Sequence, residues 1–244
     1  MSNPIQDCMT AHSSVRDFKP TPVSAIVVER CVEAAQMAST SSWIQAYSVL
    51  QVHDTGEREA LAELCGGQAQ VHEAGAFFIV MADSRRHRLV AQTAGCDHVQ
   101  NLEGFLVSVI DAGLFAQNLA LAFESEGLGI CFIGGLRNRL EEVDSLLQLP
   151  QGAWPLFGLC VGTAKEKPDG RPRLPQSSIL HHNRYPTDLD VTAATEAFDE
   201  VAAEHYTQRG LPGRNWSGGI ARRFMAPLRE DLAAYYASKG ARLS

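Results

Sequence analysis

A short polar stretch near the start of the sequence, HSSVR at 12–16, carries an imidazole, two hydroxyls and a guanidinium. Hydroxyl and charged donors converge well on phosphate oxygens, so His12, Ser14 and Arg16 could together bind an anion. In an extended backbone alternate side chains point the same way, which would place these three residues on one face. The competing interpretation is that a serine caps a helix or turn and that Arg16 is a surface charge. The stretch alone leaves both interpretations open.

Two other features suggest a similar ligand. Arg171 and Arg173 are flanked by prolines, which stiffen the loop and fix the guanidinium directions at low entropic cost. Gly134 and Gly135 end the segment FIGG, and bare backbone can approach a flat ligand more closely than side chains allow. Each feature also has a plainer explanation, a solvated basic loop and a turn respectively. Taken together with HSSVR, they predict a ligand with a phosphate at one end and a planar ring at the other.

Several common nucleotide and metal motifs are absent from the sequence. There is no GxxxxGK followed by Ser or Thr, which excludes a P-loop, and there is no HExxH or GxSxG. The segment GLGICF begins like the dinucleotide-binding GxGxxG, but Phe132 replaces the third glycine and the segment follows a predicted helix instead of a strand. The histidines show no spacing typical of metal ligands, so we expect no metal site.

Composition narrows the class of protein. The chain of 244 residues has 21 basic and 28 acidic side chains and a net charge of −7, which argues against nucleic-acid binding. The six cysteines form no CxxC pair, so we expect reduced and mostly buried thiols. The N-terminus has neither the basic nor the apolar region of a signal peptide, and no apolar run approaches the ~20 residues of a membrane span. We therefore expect a cytoplasmic protein without membrane contact.

The spacing of apolar residues predicts a mixture of helices and strands. The run at 76–83 is almost continuously apolar, which is typical of a central strand buried on both faces. The segment 102–126 predicts a long helix that is apolar on most faces, as in a central or interfacial helix. Further strands are predicted at 48–54, 130–135 and 154–164, and further helices after Pro22, after a cap at Thr55 and at 136–149.

The C-terminal part of the sequence predicts two more helices, around 190–208 and 218–238, joined by the connector RGLPGRNWSGG. The sequence has no internal repeat, and no change in composition marks a second domain. We therefore predict a single α+β domain over residues 1–244, in which 190–244 form a helical C-terminal extension.

Taken together, these segments resemble those of a known protein family. The sequence resembles the nitroreductase family of FMN enzymes, most closely its oxygen-insensitive NADPH nitroreductase and flavin reductase branch. The resemblance runs essentially from end to end. It implies a nitroreductase-like α+β fold, with a central, mostly antiparallel sheet flanked by helices, and a homodimer that binds FMN at the subunit interface. It rests on HSSVRDF, STSSWIQAYS, CGGQ, DAGLFAQNLALAFESEGLG, FIGGLRN, PLFGLCVG, KPDGRPRLP and HYTQRG…RNWS, in this order.

The resemblance also implies the contacts to FMN. It assigns His12 and Ser14 to the phosphate, with Arg171 and Arg173 as loop cations that close on it. It places Arg16 beside the N1–C2=O edge of the flavin ring. It places the backbone of Ile133, Gly134 and Gly135 near N5 of the ring and gives Gln68 a polar contact to the ring. It assigns Ser41 and Ser42 to the cofactor of the other subunit, and it adds Ser13 as a neighbour of the phosphate residues.

The sequence departs from the family pattern at three places. Ser13 stands where the branch usually carries arginine, so one charge near the phosphate is missing. Arg171 stands where lysine is common, which keeps the charge but changes the hydrogen-bond geometry. The loop from Arg209 to Trp216 is shorter than in the relatives, which affects the contacts to the nicotinamide cofactor.

The implied activity is that of an FMN-dependent NADPH oxidoreductase that reduces nitroaromatics, quinones or related acceptors with ping-pong kinetics. Arg209, and less closely Arg214, correspond to the family positions that meet the 2′-phosphate of NADPH. No side chain is expected to act as a dedicated acid or base, because the flavin carries the chemistry. Two alternatives remain: a flavin reductase that supplies free reduced FMN, and a flavin-binding or sensing module without turnover.

Overall fold

A computed structural model of the protein describes residues 3–243. Its sheet has four strands in the order β1-β2-β4-β3, and every adjacent pair is antiparallel. The predicted, mostly antiparallel sheet is therefore confirmed. The strands are β1 (Tyr47–Gln51), β2 (Ala76–Asp83), β3 (Gly129–Ile133) and β4 (Ala153–Gly162).

Helices flank the sheet along the described part of the chain. They are α1 (Pro4–Thr10), α2 (Ala25–Ala35), α3 (Thr55–Leu64), α4 (Gln70–Glu73), α5 (Arg85–Thr93), α6 (Leu102–Ser125), α7 (Leu140–Leu147), α8 (Asp188–Gln208), α9 (Trp216–Phe224) and α10 (Leu232–Ser238). Short 3-10 turns lie at Ser41–Trp43, Gly134–Asn138 and Gln176–Ser178.

The described residues form two compact units. The larger unit contains residues 3–168 and 229–243, and therefore the whole sheet. The smaller unit is Asp169–Leu228 and contains α8 and α9. A capping box between Thr187 and Asp190 starts α8. Because α10 belongs to the larger unit, the helical tail contributes to both.

The core of the larger unit lies on both faces of the sheet. All of β2 is buried, as the apolar run predicted. Because successive side chains of a strand point to opposite faces, Phe78 and Val80 join an apolar cluster with α2, α6 and α10. Phe77 and Ile79 join a second cluster with α3, α4 and α7. This double burial holds β2 and β4 at the centre of the sheet.

The long helix α6 packs against β2 and α2. It starts at Asn101, whose side-chain oxygen accepts a hydrogen bond from the Gly104 N–H at 2.9 Å. By length and composition it is the one helix among residues 3–243 that could cross a membrane, and its packing in the core accounts for its buried apolar side. The buried residues are Ser108, Asp111, Ala112, Phe115, Ala116, Leu119, Ala120 and Phe123.

The other side of α6 carries a row of exposed apolar residues. Leu102, Leu106, Ile110 and Leu114 follow one another at intervals of four residues, with exposed fractions between 43% and 57%. We call these four residues the α6 apolar row. In a single chain such a row leaves apolar surface in water, which is typical of an interaction site.

Several predicted elements have other bounds in the structure. Asp54, and not Thr55, caps α3, because its carboxylate accepts a hydrogen bond from the Glu57 N–H at 2.8 Å. β1 accordingly ends at Gln51, before this cap. The helix predicted at 218–238 is two helices, α9 and α10, with an irregular segment between them. Pro227 lies in that segment, and proline has no N–H for a helix and disfavours helical backbone at the preceding residue.

Candidate functional site

The N-terminal segment 12–18 lies along the free edge of β3. The Val15 N–H donates to the Ile130 carbonyl at 2.9 Å, and Ser14 forms a parallel bridge with Ile130. Burial alternates along the segment: Ser13 and Val15 are buried, His12 and Ser14 are partly exposed and Arg16 is exposed. His12, Ser14 and Arg16 therefore share the outer side of the segment, as the extended backbone predicted.

Hydrogen bonds fix two of these side chains. His12 Nδ1 lies 2.6 Å from Glu124 Oε1, so an ionised Glu124 makes Nδ1 the donor and leaves Nε2 for another partner. Arg16 donates one N–H to the Ser14 carbonyl at 3.3 Å. Arg16 also lies near Cys131, where its charge partly offsets the rise in the thiol pKa that burial causes. The segment therefore presents an oriented imidazole and a guanidinium with free donors.

Ser13 does not belong to this outer side. Its side chain is buried, and its hydroxyl oxygen has no hydrogen-bond partner among the residues that the structure describes. The alternation that exposes His12 and Ser14 turns the Ser13 side chain inward, and its expected cofactor contact stays a prediction.

The glycine pair stands where β3 ends and a 3-10 turn begins. Ile133 is fully buried, and Gly134 and Gly135 start the turn. A Cβ on Gly135 would come closer than 3.0 Å to Gln68 Nε2 and to the Cys65 carbonyl oxygen. The bare backbone of Gly135 thus admits the neighbouring 65–68 turn. The structure thereby brings together Gln68 and the glycine pair, which the family resemblance assigns to the same ring.

The amide of Gln68 is held on both sides. Its Nε2 donates to the Cys65 carbonyl at 2.8 Å, and its Oε1 accepts from Gln70 Nε2 at 3.0 Å. A side-chain amide that is fixed in this way presents its remaining donor and acceptor in a defined direction.

Ser41 and Ser42 belong to a loop that enters β1, at the opposite edge of the sheet from β3. Both are exposed. Three inter-strand spacings of about 4.8 Å separate the two edge strands. Within the larger unit these serines are therefore not brought together with His12, Ser14 or Arg16. The expectation that they reach the cofactor of another subunit stays a prediction.

The four predicted loop arginines line one pocket of the smaller unit. Arg171 and Arg173 come from the proline-rich loop, and Arg209 and Arg214 from the connector after α8. The pocket has a volume of about 470 Å³. Phe198, Tyr206 and Trp216 supply aromatic surface, and His205 adds an imidazole. The two arginine pairs, which the family resemblance assigns to different ligands, thus converge on the same space.

The charge of this pocket is not neutralised within the described chain. None of the four arginines has a carboxylate within 4.0 Å among residues 3–243. Arg173 donates to the Arg171 carbonyl at 2.8 Å, which ties the loop to itself. In a protein of net charge −7, four unpaired guanidinium groups around aromatic rings form a local anion site.

A carboxylate on α8 fixes the far end of the connector. Asp199 accepts hydrogen bonds from the Ser217 N–H at 2.8 Å, from the Ser217 hydroxyl and from Asn215 Nδ2 at 3.0 Å. The bonds from the Ser217 side chain and backbone hold the pKa of Asp199 below its usual value. Asp199 therefore anchors the start of α9, directly after Arg214.

The cysteines offer no reactive thiol in the core. Burial raises the pKa of Cys65 to about 12, and it also raises the pKa of Cys31, Cys131 and Cys160. These four are buried, Cys8 is partly exposed and Cys96 is exposed, and all six are free. The prediction of mostly buried, unpaired thiols is confirmed.

The sequence missed three residues that the structure connects with the site. Glu124 binds His12, and Asp111 binds the backbone of the Ser41–Ser42 loop. His205 lines the cationic pocket. The available signal for the first two was an acidic residue in the apolar helix α6, since a buried carboxylate needs donors. His205 carried no comparable signal.

Comparison with known proteins places this geometry in a family. The model of the nitroreductase family matches residues 9–163, and the model of its C-terminal domain matches residues 171–244. An FMN reductase (NADPH) of Bacillus subtilis is 38% identical over 98% of both chains. An NADPH-dependent oxidoreductase of Staphylococcus aureus is 42% identical over 90% of both.

Solved structures agree with these matches. The NfrA1 nitroreductase of B. subtilis covers 98% of this chain and 100% of its own, with 37% identity and a TM-score of 0.94. The NADPH:FMN oxidoreductase of Vibrio harveyi, complexed with NAD⁺, covers 98% and 99% with 33% identity and a TM-score of 0.88. On the family matches and the shared fold, this chain belongs to the nitroreductase family.

Proposed function

We propose that this protein is an NADPH-dependent FMN oxidoreductase that reduces small planar acceptors. The observation that carries the proposal is the pocket of the smaller unit, where four arginines without carboxylate partners in the described chain lie beside aromatic rings. Unpaired guanidinium groups beside ring surfaces suit a ligand with phosphates and flat rings. FMN and NADPH, which the names of the relatives contain, both have this composition.

The donors of the larger unit fit FMN. The outer side of segment 12–16 offers an imidazole nitrogen, a hydroxyl and the unused N–H groups of a guanidinium. We assign His12 and Ser14 to the phosphate and Arg16 to the N1–C2=O edge of the ring. Gln68 and the backbone of 133–135 are assigned to the ring, because the structure brings the Gln68 amide against Gly135.

Bound FMN would supply the redox chemistry, accepting a hydride from NADPH and passing electrons to a second substrate. The residues of this chain bind and orient the two ligands. The positive charge of Arg16 favours the cofactor in its electron-rich form, which is an electrostatic contribution. No side chain of the site is assigned to proton transfer. One binding face that serves two substrates in turn gives ping-pong kinetics.

In the smaller unit we assign Arg171 and Arg173 to the FMN phosphate, and Arg209 and Arg214 to the 2′-phosphate of NADPH. Their convergence in one pocket supports the assignment, since phosphates of two bound cofactors need several cations. Asp199 fixes the chain directly after Arg214 by accepting a hydrogen bond from the Ser217 N–H, which helps to hold Arg214 in place. Arg209 caps the C-terminal end of α8, and we take it as the firmer of the two contacts because it matches the family position more closely than Arg214 does.

We further propose that the protein is a homodimer. The α6 apolar row would be covered by a second copy, because burying these four side chains removes apolar surface from water. A dimer also explains why Ser41 and Ser42 lie at the sheet edge away from His12, since the same loop of a second copy could reach the cofactor. Light scattering should report a dimer, and Ile110→Glu should weaken it. A folded, FMN-loaded monomer of the unaltered protein would contradict this proposal.

A second candidate function is that of a flavin reductase that releases reduced FMN. The name of the B. subtilis relative, FMN reductase (NADPH), favours it. The two activities differ in the second substrate, which is free FMN in one case and a nitroaromatic or quinone in the other. Comparison of kcat/KM for added FMN with that for a panel of nitroaromatics and quinones separates them. We also place the protein in the cytoplasm, where six free thiols remain reduced.

The central experiment identifies the cofactor and its donor. Purified protein should be yellow and should release FMN on heating, and NADPH should bleach the yellow colour without oxygen. Initial rates should give parallel double-reciprocal lines. Release of FAD, or a bound flavin that NADPH does not bleach, would overturn the proposed enzyme, and the latter result would favour a binding or sensing module.

A further inference from the structure

A buried carboxylate of α6 holds both ends of the loop that contains Ser41 and Ser42. Asp111 is 1% exposed. Its Oδ1 accepts a hydrogen bond from the Ser41 N–H at 3.0 Å, and its Oδ2 accepts one from the Ala46 N–H at 3.1 Å. Each oxygen thus binds one end of the segment 41–46, which we call the serine loop.

The backbone of the serine loop is strained. Ser42, Trp43 and Gln45 have positive φ angles of 48°, 60° and 51°. Residues with a side chain rarely adopt this left-handed region, because it costs conformational energy, so the surrounding structure must impose it. Three of the four residues 42–45 have positive φ, so contacts with the rest of the protein must hold the loop in this conformation.

The imposed shape comes from two helices. Asp111 of α6 binds the N–H groups at the ends, whereas α5 binds carbonyls in the middle. His87 Nε2 lies 2.7 Å from the Ile44 carbonyl oxygen, and Arg86 donates to the Gln45 carbonyl at 3.3 Å. Only Asp111 is buried among these side chains, so its bonds are the ones shielded from competition with water.

A charged residue is costly at this position unless it has a specific partner. Asp111 lies on the apolar side of α6, with Tyr47 and Phe115 stacked nearby. Burial is the main cause of the raised pKa of Tyr47, and the nearby charge of Asp111 raises it further. Aspartate is a poor former of helix interiors, so neither helix formation nor core packing accounts for it. The hydrogen bonds from the Ser41 and Ala46 N–H groups account for its presence there.

We propose that Asp111 is a positioning residue, which holds the serine loop in the strained conformation that presents Ser41 and Ser42 to FMN. This role rests on the proposed function, because the ligand of the serine loop is FMN only if the protein binds FMN. The two hydrogen bonds that Asp111 accepts from the serine loop, which we call the clamp, are a property of the apoprotein and can be measured without any ligand.

The experiment compares Asp111→Asn with Ser108→Ala. The first keeps the shape of the side chain but replaces one acceptor oxygen by an NH₂ donor, so one loop N–H loses its partner. The second removes a buried hydroxyl from the same helix, whose hydrogen bond goes to the Gly104 carbonyl and not to the loop. In apoprotein, hydrogen exchange of a peptide that covers 41–46 should become at least about tenfold faster in Asp111→Asn. It should stay unchanged in Ser108→Ala.

Binding of FMN tests the positioning. Asp111→Asn should raise the Kd for FMN about tenfold or more, and Ser108→Ala should leave it within about twofold. Adding Gln45→Asn to Asp111→Asn should recover part of the affinity, because asparagine tolerates the left-handed region better than glutamine. If Asp111→Asn does not fold, Gln45→Pro opposes the loop conformation from the loop side, since proline fixes φ near −65°, and should raise the Kd similarly.

Each outcome decides the proposal. Unchanged exchange in Asp111→Asn overturns the clamp. Faster exchange with an unchanged Kd overturns the positioning while leaving the FMN enzyme intact. An unaltered protein that binds no FMN overturns the proposed function and the positioning together, and exchange then still decides the clamp. Faster exchange, weaker FMN binding and recovery by Gln45→Asn support the proposal.

Discussion

Replacing Gly135 with alanine should destabilise the larger unit, whereas the same change at Gly134 should be nearly neutral. A Cβ on Gly135 would lie closer than 3.0 Å to Gln68 Nε2 and to the Cys65 carbonyl oxygen. The amide can rotate, but the carbonyl belongs to the backbone, so one of the two turns must move. A Cβ on Gly134 meets nothing closer than Arg137 Nη2 at 3.6 Å, which is an ordinary contact.

The size of the effect follows from this crowding. Inserting a carbon where the packing is already tight costs about 1–3 kcal/mol. Neither glycine has a positive φ, so alanine adds no backbone strain at either position. For a protein of this size 1 kcal/mol lowers Tm by about 2–4 °C. We therefore expect a fall of about 2–12 °C for Gly135→Ala and of less than about 2 °C for Gly134→Ala.

Thermal unfolding of the apoproteins, followed by circular dichroism, measures this difference without any cofactor. A titration with FMN then shows whether the displaced Gln68 amide also weakens binding in Gly135→Ala. Equal losses of Tm in the two variants would refute the reasoning, and so would an unchanged Tm in Gly135→Ala, because only Gly135 contacts the 65–68 turn closely.

Three further predictions concern the charged residues. Arg209→Ala should lower kcat/KM for NADPH about ten- to a hundredfold and leave NADH almost unaffected, because a charged pair to a partly exposed phosphate contributes about 1–3 kcal/mol. Arg223→Ala, an exposed arginine of α9 outside the pocket lining, is the control, and an equal loss with both nucleotides would reject the assignment. Arg16→Ala should lower the two-electron potential of bound FMN by about 30 mV, since an exposed charge-assisted contact is worth about 1.5 kcal/mol, and an unchanged potential would reject its role. Asp199→Asn should lower the thermal stability of the smaller unit at pH 7, as followed by Trp216 fluorescence, and the difference from the unaltered protein should disappear as pH falls below about 4. The sign follows because the folded state lowers the pKa of Asp199, so its contribution is present above the unfolded pKa and is lost as pH falls through the folded pKa. A difference that persists at low pH would contradict this origin.

The sequence by itself determined the elements whose signal is local. The apolar run at 76–83 marked β2 because a strand buried on both faces needs apolar residues at every position. The periodicity of 102–126 marked α6 almost to the residue. The alternation in HSSVR separated outward His12 and Ser14 from inward Ser13 in principle, and only the resemblance added Ser13 to the contacts.

The tertiary structure decided what depends on partners far apart in the chain. Gly135 requires the bare backbone because the 65–68 turn packs on it, and nothing near FIGG in the sequence shows that turn. Asp111 is explained by N–H groups 65 and 70 residues away. The meeting of Arg171 with Arg209 in one pocket depends on how α8 folds back beside the proline-rich loop. Periodicity reports which face of an element is buried, but the partner on that face is set by packing of the whole chain, and that is where the charges and glycines of this protein acquire their roles.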